Sequence, residues 1–70
     1  MKRSNVSSSV IASVGYDAKS ATLELVFHTG GIYQYYGVPS MLYEQLLTAD
    51  SIGKFFHEHI LDVFPYHRVR

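Results

Sequence analysis

The chain has 70 residues, no cysteine, and six basic and six acidic residues, so its net charge is zero when the histidines are neutral. A chain this short has room for one domain and buries only about 60% of its unfolded surface. A hydrophobic content of 47% and a charged content of 17% are typical of a globular protein and exclude a disordered one. Without cysteine, a membrane-length apolar run or a signal peptide, the sequence favours a cytoplasmic protein.

The neutral balance also excludes the strongly basic composition of a dedicated nucleic-acid binder. The basic residues nevertheless cluster at the termini, with Lys2 and Arg3 at one end and Arg68 and Arg70 at the other. They form a basic patch if the ends meet in space and two tails if the ends fray. We expect residues 1–5 to be a flexible tail.

The first two strands are predicted from alternation. Residues 10–16 alternate, but Ile11 faces away from Val14, which a β-bulge or a strand covered on both faces would explain. Asp17 to Ser20 is a turn. The next strand, residues 21–28, is predicted to place three residues on the core face: Leu23, Leu25 and Phe27.

The third strand, residues 32–36, follows a glycine turn. A two-residue turn at Thr29 and Gly30 places Ile32 and Tyr36 on the core face. Tyr33 and Tyr35 then lie on the outer face. Moving the turn to Gly30 and Gly31 keeps these faces, whereas a bulge reverses them, because a slip of one residue swaps every side chain.

Two short helices are predicted after Pro39, which suits the first turn of a helix. The first has an apolar stripe through Leu42 and Leu46, and either Asp50 or Ser51 caps the second. The predicted fold is therefore α+β, with a three-stranded antiparallel meander followed by two short α-helices packed on one face. The predicted core comprises Leu23, Leu25, Phe27, Ile32, Tyr36, Leu42, Leu46, Phe55 and Ile60.

An ordered series of motifs resembles the KTSC domain family. The series consists of Gly15-Tyr16-Asp17, Leu23-Glu24-Leu25-Val26-Phe27, Gly31-Ile32-Tyr33-Gln34-Tyr35, Val38-Pro39, Leu46-Leu47, and Ala49-Asp50-Ser51-Ile52-Gly53 with Phe56. The family occurs at the C-terminus of some lysyl-tRNA synthetases and as small stand-alone bacterial and phage proteins. The resemblance covers residues 6–69 and implies one domain over 1–70. Its Tyr-x-Tyr motif corresponds to Tyr33 and Tyr35, and its association with synthetases suggests RNA binding. One departure is His57, where the family tends to have asparagine.

Metal, cofactor and catalytic sites are not predicted. His57 and His59 are two apart, so on a helix they point in different directions, and the zinc-protease spacing of four is absent. We expect His59 to be partly buried in the core and His57 to face solvent. The six acids are scattered, there is no cysteine nucleophile, and Ser7 to Ser9 form no nucleophile elbow.

The outer face suggests a binding module instead of an enzyme. Aromatic side chains on a sheet can stack unpaired bases, so we expect RNA or single-stranded nucleic acid as the ligand. The candidate residues are Tyr33, Tyr35, His28, Lys19, Lys54 and Arg68. The alternative is protein–protein interaction or dimerisation through the same face, because tyrosine is enriched at interfaces. We expect a monomer or a weak dimer.

Overall fold

The computed structural model describes residues 2–70. It contains one antiparallel sheet in the order β1-β2-β3-β4-β5, with both helices inserted between β4 and β5 in the chain. The elements are β1 (Arg3–Asn5), β2 (Ile11–Asp17), β3 (Thr22–Phe27), β4 (Ile32–Tyr36), α1 (Ser40–Thr48), α2 (Ile52–His59) and β5 (Tyr66–Arg68). Within residues 2–70, neither helix has the length of apolar sequence needed to cross a membrane.

The α+β class, the antiparallel sheet and the two helices are confirmed, but the predicted count of three strands is wrong. β1 and β5 are edge strands of three residues each, and every residue in them is exposed. Strands without a buried face have no alternation in their sequence, so the pattern could not predict them. Residues 3–5, predicted as part of a flexible tail, pair with β2, and Met1 lies outside the described residues.

The two edge strands also settle where the terminal charges lie. β1 and β5 occupy opposite edges of the sheet, so the two basic ends do not form a common patch. Arg3 is paired with Glu24, its Nε lying 3.2 Å from a carboxylate oxygen.

A β-bulge resolves the position of Ile11. The register of β2 on β3 shifts between Ile11 and Ser13, so that Ile11 lies opposite Phe27 and Val14 opposite Leu25. The extra residue returns Ile11 to the face that Val14 occupies. Both side chains are fully buried.

The β3–β4 turn is one residue longer than predicted. The Phe27 carbonyl accepts a hydrogen bond from the Gly30 N–H, and the Phe27 N–H donates to the Gly31 carbonyl. Three residues, His28 to Gly30, therefore form the loop, and Gly30 has the positive φ of 97° that this turn requires. Leu23 consequently lies opposite Tyr35, and Leu25 opposite Tyr33.

This longer turn reverses the predicted faces of β4. Tyr35 is a core residue, only 2% exposed, and Tyr33 packs against the core. The predicted core positions of Ile32 and Tyr36 are wrong: they lie opposite Val26 and Thr22, on the outer face. The odd number of loop residues is the physical reason, because strand side chains alternate with a period of two.

The core lies between one face of the sheet and the two helices. Of the other predicted core residues, Leu23, Leu25, Leu46 and Ile60 are fully buried, while Phe27, Leu42 and Phe55 are partly buried and pack against them. The sheet and helix α2 meet at Phe56, whose ring lies 5.7 Å from that of Phe27. The buried residues are Ile11, Val14, Leu23, Leu25, Tyr35, Val38, Leu46, Ile52, Phe56 and Ile60.

The outer face carries a polar network instead of an aromatic platform. Glu24 is 8% exposed, and besides Arg3 its carboxylate accepts a 2.9 Å hydrogen bond from the Gln34 amide. The Tyr36 hydroxyl donates to the Gln34 carbonyl oxygen at 3.2 Å. Arg3 can reach Glu24 because the residue between them in the lateral row of the sheet is Gly15.

Candidate functional site

An open cleft of about 320 Å³ lies between the sheet and the segment that follows α2. We call it the aromatic cleft, because five of the seven residues that line it are aromatic. Its lining residues are Phe27, Thr29, Tyr33, Tyr35, Phe56, Leu61 and Tyr66. Rings that border solvent in this way offer flat apolar surface for a ligand.

Strand alternation positions the sheet side of the cleft. Tyr33 and Tyr35 are two apart on β4, so both point to the face that the helices cover. On the neighbouring strand, Arg68 lies opposite Tyr33 and Tyr66 lies opposite Tyr35. The centroid of the Tyr66 ring lies 5.7 Å from that of the Tyr33 ring and 5.5 Å from that of the Tyr35 ring, so the three tyrosines form a continuous surface.

Helix α2 supplies the opposite wall through Phe56. Its ring lies 5.5 Å from that of Tyr35 at an interplanar angle of 77°, which is the edge-to-face arrangement that aromatic pairs prefer.

Ser51 begins the helix, because its side chain accepts a hydrogen bond from the Lys54 N–H. The prediction that Asp50 or Ser51 caps this helix therefore resolves to Ser51.

Tyr35 is almost fully buried, yet its hydroxyl is not sealed from solvent. Every buried polar side-chain atom of residues 2–70 has a hydrogen-bond partner, and none of the hydrogen bonds found among them involves this hydroxyl. The hydroxyl oxygen must therefore account for part of the 2% of Tyr35 that remains exposed. Tyr35 also lines the aromatic cleft, which is therefore a solvent-accessible space beside its side chain.

Burial raises the pKa of Tyr35 from 10.0 to about 12, and the neighbouring Tyr66, Tyr33 and Asp62 add to the increase. A phenol with so high a pKa is neutral at physiological pH. It can therefore donate a hydrogen bond as well as accept one.

The raised pKa predicts a loss of stability at alkaline pH. Between pH 10 and about 12 the unfolded chain loses the Tyr35 proton while the folded chain keeps it. The free energy of unfolding should then fall as pH rises through this window, and the contribution should be fully present below it. Melting temperatures across the window should fall less steeply for Tyr35→Phe than for the wild type. Equal slopes for the two proteins would contradict the assignment.

Arg68 provides the positive charge at the rim of the cleft. Its guanidinium carbon lies 5.5 Å from the centroid of the Tyr33 ring, within the range of a cation–π interaction. Its Nε donates a 3.1 Å hydrogen bond to the Arg70 carbonyl. Gly31 leaves room for this pair, because a Cβ at that position would come within 3.1 Å of the Tyr33 ring and 3.7 Å of the Arg68 guanidinium.

The remaining predicted site residues lie away from Tyr33, Tyr35 and Arg68. His28 is exposed in the β3–β4 turn beside Thr29, but its Nε2 is 2.7 Å from the Ser8 carbonyl. Lys19 lies in the β2–β3 turn, at the opposite end of the sheet from His28. Lys54 is exposed in the first turn of α2. The structure thus brings together Tyr33, Tyr35 and Arg68, on the face opposite to the one predicted.

Five of the seven lining residues are not among the site residues that the sequence predicts: Phe27, Thr29, Phe56, Leu61 and Tyr66. Tyr66 belongs to the short edge strand β5, and Phe56 enters the sequence predictions only through the motifs that resemble the KTSC domain family. His57 is exposed as predicted, but His59 differs from expectation. His59 is exposed and not partly buried in the core, and its ring lies 4.4 Å from that of Phe55. Over the described part of the chain, no cluster of three or more potential metal ligands is present.

The sequence and the fold match known proteins closely. The model of the KTSC domain family matches residues 7–64. A protein from Stutzerimonas stutzeri is 41% identical over 58 residues, which span 83% of this chain and 82% of that protein. A lysine–tRNA ligase from a Nostoc species is 38% identical over 61 residues, which span 87% of this chain but only 11% of the ligase.

A solved structure agrees over nearly the whole length. The crystal structure of a KTSC domain protein from Yersinia pestis superposes with a TM-score of 0.96 at 39% identity, covering 99% of this chain and 97% of that one. Sequence motifs, family match and fold all agree, and the chain belongs to the KTSC domain family.

Proposed function

We propose that this chain is a small non-enzymatic binding module for RNA or other single-stranded nucleic acid, and that the aromatic cleft is its contact surface. The observation that carries the proposal is an open cleft lined by five aromatic rings, of which that of Tyr66 is exposed, with the Arg68 guanidinium at the rim. Stacking a base on an aromatic side chain contributes about 1–3 kcal/mol and tolerates any base. The guanidinium supplies a partner for phosphate.

The cleft is better suited to this role than the outer face of the sheet. The outer face presents the Glu24 carboxylate in a polar network with Arg3 and Gln34. A carboxylate repels phosphate, and the guanidinium nearest to it is already paired. In the cleft, Tyr33 and Tyr35 keep the role that their sequence motif suggests, and Tyr66 adds a third ring.

The relatives supply a context in which RNA is present. Lysine–tRNA ligases from Nostoc and from Trichormus variabilis contain a stretch similar to this chain, which makes up 11% of each ligase. An RNA-binding module would serve an enzyme that is named for tRNA. This association supports the proposal independently of the cleft.

The charge of the chain limits how such binding can work. With a net charge of zero, the chain has no overall excess of positive charge to hold a polyanion. Arg68 lies at the rim of the cleft and Arg70 follows it in the chain, whereas Arg3 is at the opposite sheet edge. Each phosphate contact to a single strand contributes about −0.7 to the slope of log K against log salt. We therefore expect a slope of roughly −1 to −2, much shallower than that of a strongly basic domain.

Titration with labelled single-stranded RNA at low and moderate salt, followed by residue-level NMR, tests the proposal. Shifts should concentrate on the lining residues of the cleft. Tyr66→Ala should weaken binding by roughly fivefold to a hundredfold, because one stacking contact is lost. Tyr36→Ala is the matched control, since it removes a tyrosine from the outer face, and it should leave the affinity unchanged.

Two results would contradict the proposal. Shifts confined to the outer face, or equal effects of the two substitutions, would remove the cleft as the site. Absence of binding at low salt, combined with concentration-dependent shifts at the cleft without RNA, would instead establish a self-association surface, which is the alternative suggested by the sequence.

A further inference from the structure

We propose that the aromatic cleft takes up a single unstacked base, whose edge receives a hydrogen bond from the Tyr35 hydroxyl while Arg68 meets the adjoining phosphate. This inference rests on the proposed function and specifies its ligand: one base per domain, presented by a flexible strand. A binding surface that runs along several successive bases is a different arrangement, and the two can be distinguished by experiment.

The hydroxyl of Tyr35 is the first support. A buried tyrosine normally finds a hydrogen-bond partner for its hydroxyl. Tyr35 is buried and lines the cleft, and its hydroxyl has no hydrogen bond among those found within residues 2–70. The Tyr35 phenol is protonated at neutral pH, so it can offer a hydrogen-bond donor to a ligand in the cleft. Bases have acceptors on their edges, such as N7 and O6 of guanine and N7 of adenine.

The size and shape of the cleft are the second support. Its volume of about 320 Å³ is at the lower end of the range for small-molecule sites, which begins near 300 Å³. One wall of the cleft is formed by Tyr33 on β4 and Tyr66 on β5, and the opposite wall by Phe56 on α2. A flat ring fits such a space, whereas a stack of several bases does not. The base must therefore leave its stack, which single-stranded RNA allows.

The charges around the cleft are the third support. Arg68 lies at the rim, over the Tyr33 ring, while the Asp62 carboxylate acts electrostatically on Tyr35. An anionic group placed beside Tyr35 would meet that carboxylate. A neutral base beside Tyr35, with its phosphate at Arg68, places each part of a nucleotide where the local charge suits it.

Two probes test the inference with the intact protein. The first is a short single-stranded RNA in which all positions but one are abasic, compared with the fully abasic strand and with the fully based strand. The dissociation constant of the strand with one base, expressed per protein domain, should lie within roughly threefold of that of the fully based strand. The fully abasic strand should bind at least roughly fivefold more weakly than either, because it lacks the stacking contact.

The second probe is Tyr35→Phe, which keeps the ring and removes only the hydroxyl. It should weaken binding of the one-base strand by roughly twofold to tenfold, the effect of one hydrogen bond. Tyr36→Phe is the matched control on the outer face and should bind like the wild type. A single cooperative melt for each variant near neutral pH would show that folding is intact. Tyr36→Phe should melt slightly below the wild type, because it loses the hydrogen bond to Gln34.

The outcomes separate this inference from the proposed function. If the fully abasic strand binds as well as the others, or if Tyr35→Phe binds like Tyr36→Phe, RNA binds but the one-base arrangement is wrong. If a strand needs several bases for full affinity, the surface is extended and the inference also fails. If no strand binds at low salt, the proposed function itself is wrong.

Discussion

Replacing Leu46 by alanine should remove about half of the stability of the protein, whereas the same change at Leu47 should have little effect. Leu46 is fully buried and is the one buried residue of α1, while its neighbour Leu47 is 38% exposed. Leucine-to-alanine changes in a core cost about 2–5 kcal/mol. At about 0.05–0.15 kcal/mol per residue, a chain of this length has a total stability of roughly 4–10 kcal/mol.

Urea unfolding followed by circular dichroism measures both variants under the same conditions. The transition of Leu46→Ala should move to much lower urea with a similar slope, and that of Leu47→Ala should stay close to the wild type. Equal shifts for the two leucines would mean that α1 does not dock through Leu46.

Tyr35→Ala should destabilise the protein by about 3–5 kcal/mol, the usual cost of removing a large aromatic side chain from a core. Tyr36→Ala should cost about 1 kcal/mol, because it removes a partly exposed ring and one hydrogen bond to Gln34. The two residues are neighbours in the chain, so the comparison isolates the face on which each one lies.

Thermal melts and urea titrations of the two variants provide the measurement. The face assignment deduced from the sequence leads to the opposite result, with Tyr36 as the structural residue. A larger loss of stability for Tyr36→Ala than for Tyr35→Ala would therefore show that β4 pairs with β3 through a two-residue turn after all.

The elements that the sequence predicts well have strong local signals. The strand residues Leu23 and Leu25 repeat at the period of a strand. Leu46 belongs to the apolar stripe of α1, and Ile60 continues that of α2 directly after its last residue. All four are buried. The irregular position of Ile11 indicates either a bulge or a strand covered on both faces, and the structure contains a bulge between Ile11 and Ser13.

The incorrect predictions depend on information that the local pattern does not contain. Whether the loop before β4 has two or three residues decides which tyrosines are buried, yet both loops suit a Thr-Gly-Gly sequence. The edge strands have no buried face, so Tyr66 could not be placed beside Tyr33 and Tyr35 in advance. The candidate residues of the cleft were thus recognised in part, but their location required the tertiary structure.

The three-residue turn from His28 to Gly30 also bears on where this family can change in length. Surface loops usually tolerate insertions and deletions. A residue inserted within this loop leaves Val26 opposite Ile32, so Tyr35 stays in the core. A residue inserted within the paired part of β4 has no loop to absorb it, and it would exchange the faces of the strand residues on one side of it. We therefore expect evolution to have accepted changes of length inside this exposed turn and to have excluded them from β4.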